Sequence, residues 1–105
     1  MPFIRRNISP IGGQSTPIVN GSAETVPGSP GIWSYRTADA DTVVDTSGYF
    51  NDMAATLKQG DLIYRLTIDG SGALVSAGFH VVRSVTAAGV VDVTNVLALT
   101  ITNTD

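Results

Sequence analysis

All five prolines of this 105-residue chain, at positions 2, 10, 17, 27 and 30, fall within its first thirty residues. Proline fixes φ and has no amide hydrogen, so a segment punctuated in this way neither runs as a helix nor sits inside a sheet. Residues 1–31 therefore read as an extended, glycine-containing arm, and residues 32–105, which contain no proline, as a β domain. The arm also carries Phe3, Ile4, Ile8, Ile11, Ile18 and Val19, together with Arg5 and Arg6. A solvated linker does not normally hold that apolar load, so the arm is expected to lie on a surface; a loose terminus is the alternative.

From Ile32 onward, β-branched, leucine and aromatic residues alternate in short runs separated by glycine, aspartate and asparagine, the pattern of strands joined by turns. Trp33 and Tyr35 share a face of the first strand, and the chain then turns through Ala38–Asp41 into Thr42-Val43-Val44. Asn51 to Leu57 is the one expected helix, capped by Asn51 or Asp52, with Met53 and Leu57 four apart and Gly60 as its stop. Asp61 to Ile68 alternates, with Leu62, Tyr64, Leu66 and Ile68 on one side and Ile63, Arg65 and Thr67 on the other. Asp69-Gly70-Ser71-Gly72 then supplies a tight reversal. Further strands are expected over 73–77, 79–86, 90–94 and 96–102. The connections look too short for parallel crossovers, which predicts an all-β fold: a small antiparallel β-barrel or β-sandwich with one short helix and an extended N-terminal arm.

Charged residues make up 14% of the chain and hydrophobic ones 43%, against about 25% charged in an average soluble domain. With no cysteine there is neither a disulfide nor a thiolate metal site to stabilise so small a domain. A domain of this size buries only about 60% of its unfolded surface, so association with copies of itself or a larger assembly is the expected source of further stability. The faces carrying Ile63, or His80, Val82 and Ser84, or Ala98, Thr100 and Thr102, are weakly polar and are expected to meet partners. A net charge of −3 with scattered cations argues against nucleic acid or an anionic membrane as partner. No apolar run approaches the roughly 20 residues of a membrane span, and no secretory leader is expected behind Arg5-Arg6.

Several residues invite a chemical reading. His80, the only histidine, reads as a half-exposed strand residue before it reads as a base. Asp39, Asp41 and Asp45 are spaced D-x-D-x-x-x-D, but Val43 occupies the third EF-hand ligand position and no glutamate closes the loop, so turn and capping roles are expected. Nothing brings Asp52 and Asp61 together as a glycosidase pair. Gly70-Ser71-Gly72 and Gly12-Gly13 lack the lysine and strand-to-helix setting of a phosphate loop. Trp33, Tyr35, Tyr49, Phe50 and Tyr64 read first as core and second as a sugar or base platform. The expectation is a non-enzymatic chain with no catalytic residues, cofactor or metal.

The stretch from Ile32-Trp33-Ser34-Tyr35 through Thr37-Ala38-Asp39, then Ser47-Gly48-Tyr49-Phe50-Asn51, then Lys58-Gln59-Gly60-Asp61-Leu62-Ile63, resembles small virion proteins of tailed phages and prophages, of the capsid decoration or cement kind. The pattern rests on Trp33, Tyr35, Gly48, Tyr49, Phe50, Gly60 and Asp61. The resemblance implies a structural protein bound to the outer surface of a phage head, assembled in the bacterial cytoplasm, with the major capsid protein and itself as partners, the latter as a homo-oligomer such as a trimer. The arm residues Phe3, Ile4, Arg5, Arg6, Ile8, Ile11, Ile18 and Val19 would anchor it. A head-fibre base, a tail subunit and a glycan-binding β module using Trp33, Tyr35 and Tyr49 are the alternative functions.

Overall fold

A computed structural model describes residues 3–11 and 30–104 of the chain. Among these are six strands: β1 (Ile8–Pro10), β2 (Ile32–Thr37), β3 (Leu62–Ile68), β4 (Leu74–Val85), β5 (Val91–Val93) and β6 (Leu97–Leu99). A single helical turn, α1 (Asp41–Val44), and two 3-10 turns, Arg5–Asn7 and Asn51–Met53, complete the elements. The expected β-rich class is present. All six strands belong to one sheet, ordered β1-β2-β3-β4-β5 with β6 also on β4, and the sheet does not close into a barrel.

Four local expectations are corrected. Thr42-Val43-Val44 lies in α1 and not in a strand. The helix expected over Asn51–Leu57 is a 3-10 turn without a side-chain cap, although Met53 and Leu57 are both buried as their spacing required. The segments 73–77 and 79–86 form one continuous β4. Most consequential, β2 and β3 are parallel, pairing Trp33 with Ile63 and Tyr35 with Arg65, while the other pairings are antiparallel. A parallel pair needs a crossover of a dozen residues or more, and residues 38–61 supply it as tight turns instead of a full helix.

That crossover decides which side of the sheet becomes the core. Val44, Phe50, Met53 and Leu57 come from it and pack on Trp33, Tyr35, Ile63, Val82, Val91 and Val93 of the strands. Two glycines let it turn. Gly48 and Gly60 have φ of +92° and +93°, where a side chain is strained, and their amides donate to Val91 O at 2.9 Å and Val82 O at 2.8 Å. Asp61 then fastens the end of the crossover to the sheet: its carboxylate accepts the Gly31 amide (2.8 Å), the Trp33 indole N–H (3.1 Å) and the Lys58 amide (3.1 Å).

The beginning of the chain also belongs to the sheet. Ile8 and Pro10 of β1 pair with Tyr35 and Trp33, and Ile8 is buried. Phe3 packs its ring on Tyr35 and Phe50, with centroids 5.3 and 5.4 Å apart, and the Ile4 amide donates to the Tyr35 hydroxyl at 3.3 Å. Arg5, Arg6 and Ile11 are exposed. Ile18, Val19 and Gly12-Gly13 lie outside the described residues.

Candidate functional site

The register divides the sheet into two faces of different chemistry. On the covered face lie Trp33, Tyr35 and Thr37 of β2, Ile63, Arg65 and Thr67 of β3, and His80 and Val82 of β4, all buried. On the other face lie Ile32, Ser34 and Arg36; Leu62, Tyr64, Leu66 and Ile68; Ala77, Phe79 and Val81; and, on β6, Leu97 and Leu99. This is the reverse of the expectation that Ile63, His80 and Val82 belong to an exposed face: each is 0% exposed. His80 is likewise enclosed and not half-exposed.

The covered face has a polar seam through its apolar core. Arg65, 1% exposed, donates from Nε to His80 Nε2 at 3.2 Å, from Nη1 to Ser76 Oγ at 3.1 Å, and from Nη1 to Thr67 Oγ1. Thr67 passes its own proton to the Asp39 carbonyl at 2.8 Å. His80 donates from Nδ1 to the Thr94 carbonyl at 2.9 Å, which leaves Nε2 as the bare acceptor for Arg65 and assigns the neutral tautomer. Burial pushes the His80 pKa down, opposed by the Thr94 carbonyl, and the nearby Arg65 cation lowers it further. Burial also lowers the Arg65 pKa, while Asp41 and Asp45 favour its charged form. Two of the three D-x-D-x-x-x-D carboxylates, Asp41 and Asp45, thus act at a distance on a buried guanidinium. Among the described residues, no three His, Cys, Asp or Glu side chains converge as a metal site.

Tyrosines continue the seam. The Tyr35 and Tyr49 hydroxyls are 2.7 Å apart, and Tyr49 donates to Asp39 Oδ2 at 2.6 Å, while the Asp39 amide donates to Thr37 Oγ1 at 3.0 Å. Burial, and then the bond to the Asp39 carboxylate, push the Tyr49 pKa well above the phenol range. Trp33 and Tyr35 are buried and Tyr49 is half-buried, so these three rings do not present a surface platform for a sugar. Asp52 is exposed, while Asp61 is buried with its carboxylate taken up by the Gly31 amide, the Trp33 indole and the Lys58 amide, so the two do not act as a pair. Gly70 and Gly72 sit in the β3–β4 turn, where Asp69 Oδ1 accepts the Ser71 and Ala73 amides.

The other face is left partly exposed among the described residues. Tyr64 and Phe79 are register partners near its middle, with ring centroids 5.7 Å apart. Around them Ile32, Val81 and Leu99 are exposed, and Leu97 reaches 68%. Charge stays at the margins: Arg36 near the end of β2, and the Arg83–Asp92 pair, 3.4 Å apart, near the opposite end of β4. Beside β1 the face dips into a hollow of about 320 Å³ lined by Asn7, Ser34, Tyr35, Arg36, Tyr64 and Leu66. Soluble monomers rarely leave contiguous apolar patches of more than a few hundred Å² without a use for them.

Neither the buried seam nor the extent of the open face was foreseen in the sequence. A signal for the seam did exist: counting outward from the turn at Gly70-Ser71-Gly72, and allowing the one-residue bulge after Thr67, places Ile63 opposite His80 and Arg65 opposite Gly78. The pattern residues fared differently. Trp33, Tyr35, Phe50 and Asp61 are all buried, half-buried Tyr49 joins the seam, and Gly48 and Gly60 make the turns. Comparison of the chain with protein families, curated proteins and solved structures finds no match.

Proposed function

We propose that this is a structural assembly protein, a decoration or cement subunit on the outer surface of a tailed-phage head, whose work is the burial of its own surface against neighbours. One observation carries the reading: half of a mixed sheet is sealed by the crossover, while the other half is left apolar, aromatic at its centre and charged only at its margins. In architecture we read the chain as one covered layer of a β-sandwich whose second layer arrives on assembly. Burial at about 25 cal/mol per Å², repeated over symmetry-related sites, stabilises a shell by mass action without chemistry.

The head contact is assigned to the amino-terminal edge. Arg5, Arg6 and Ile11 are exposed around β1, next to the segment that carries Ile18 and Val19. The resemblance of the Trp33-to-Ile63 pattern to virion proteins supplies the nature of the partner, the major capsid protein. The site of action is then the virion surface, after assembly in the bacterial cytoplasm.

The test is co-sedimentation with empty heads of a tailed phage or prophage whose genome encodes the chain. The protein is expected to pellet with heads, raise their disruption temperature, and lose both properties when Arg5, Arg6 and Ile11 are replaced together by serine. Failure of the unaltered protein to bind heads at micromolar concentration would rule the reading out.

A further inference from the structure

We infer that the open face is occupied by a second copy of this chain, the two sheets packing face to face about a two-fold axis with the Tyr64–Phe79 pairs at the centre. The inference rests on the reading of that face as an assembly surface and names what covers it. Three observations favour a second copy over a different partner.

The first is area. The six strands hold 34 residues in all, three each in β1, β5 and β6, six in β2, seven in β3 and twelve in β4; at about 3.3 Å per residue and about 4.8 Å between neighbours they make a face of roughly 550 Å² in projection. Two copies would therefore remove about 1,100 Å², above the roughly 1,000 Å² that a specific interface needs. The second is charge. A face with a net charge in its middle would repel its own copy, but here the centre is Leu62, Tyr64, Leu66, Phe79 and Val81, and Arg36 and Arg83 stand at opposite ends. Self-pairing thus brings no like charges together at the centre. The third is shape. Apolar residues alternating on a twisted sheet are the inner surface of a sandwich, in which two sheets interdigitate about 10 Å apart, and a two-fold interface uses the same patch on both partners.

The pairing also accounts for the aromatic pair, since interface energy concentrates in central aromatic residues ringed by aliphatic ones that exclude water. The outer edges of β1 and β6 stay free in this arrangement, so the exposed arginines beside β1 remain available for a larger surface.

Sedimentation equilibrium of the full chain, without heads, tests the inference. The expected mass is twice 10.9 kDa across the micromolar range. Leu66→Lys and Leu97→Lys should each weaken the dimer at least about 30-fold, the loss expected when a hot spot is broken, with far-ultraviolet circular dichroism unchanged. Should Leu66→Lys fail to fold, Leu97→Lys decides, because Leu97 is 68% exposed in the single chain and its replacement removes little internal packing. A monomer at 100-micromolar order, a trimer, or a Leu97→Lys protein that dimerises as tightly as its parent would each overturn the inference. The head-binding assay separates the two claims: a dimer that ignores heads sinks only the decoration reading, and a monomer that binds heads sinks only the dimer.

Discussion

The two faces of β3 make the sharpest contrast in the molecule. Leu62, Tyr64, Leu66 and Ile68 are the more apolar set, yet they are only partly buried; Ile63, Arg65 and Thr67 include a guanidinium and a hydroxyl, yet they are sealed. Hydrophobicity alone would have chosen the opposite core. What decides is the crossover: it lays Val44, Phe50, Met53 and Leu57 on one side only, and Arg65, Thr67 and His80 are admitted there because each finds a partner in the seam. The lesson is that an apolar strand face need not be an interior one. In a chain this small, it can be the surface kept for assembly.

If the faces are divided in this way, substitutions on the covered side should cost folding and those on the open side should not. The largest effect is expected from Phe50→Ala, which empties the centre of the aromatic cluster and should lower stability by about 4 kcal/mol in urea unfolding. Asp61→Ala should follow at about 3 kcal/mol, since it strands the Gly31 amide, the Trp33 indole and the Lys58 amide in a dry site.

The seam adds a pH dependence to the same side. Because folding lowers the His80 pKa, the unfolded chain binds the proton more readily. The stabilisation from neutral His80 is therefore complete above the unfolded value near 6.5 and is lost as pH falls toward the depressed folded value. The expected slope below pH 6.5 is up to about 1.4 kcal/mol per pH unit, and His80→Gln, which can keep both hydrogen bonds, should remove that contribution. Unfolding midpoints measured between pH 7 and pH 5 for both proteins check this.

Gly60→Ala forces a side chain into a left-handed conformation at the turn before β3 and should cost about 1–2 kcal/mol, although nothing lies within 4 Å of the added methyl. The smallest effect on folding should come from the open side: Leu97→Lys is expected to change monomer stability by no more than about 0.5 kcal/mol. A Leu97→Lys protein as damaged as Phe50→Ala would erase the division between the faces.

Much of the strand plan was readable in the sequence, and the reasons are local. The alternation over 61–68 and the glycine turn at 70–72 mark β3 and its hairpin, and Trp33 and Tyr35 mark the inner side of β2. The parallel β2–β3 pairing was not readable, because residues 38–61 lack the periodic apolar stripe of a crossover helix and cross instead by single turns at Gly48 and Gly60. The inner side of β3 was obscured for a related reason. The residues that accept the buried Arg65 come from β3 and β4, and Asp39 reaches Thr67 from 28 positions away, so beyond the hairpin count that sets Ile63 opposite His80 no local pattern announces them. Continuity of β4 through Gly78 is also tertiary: an added Cβ would collide with Val96 and come within 2.8 Å of Leu97 O, so the glycine serves close packing and not a turn.

The central claim is that the Tyr64–Phe79 face is covered when the protein is at work. Hydroxyl-radical footprinting measures this directly, by comparing oxidation of Tyr64, Phe79 and Leu97 in dilute protein with that in concentrated protein and in head-bound protein. Strong labelling at these residues when dilute, and marked protection in either assembled form relative to the exposed Val43 of α1, is the predicted result. Equal labelling of the face in all three states would contradict the account.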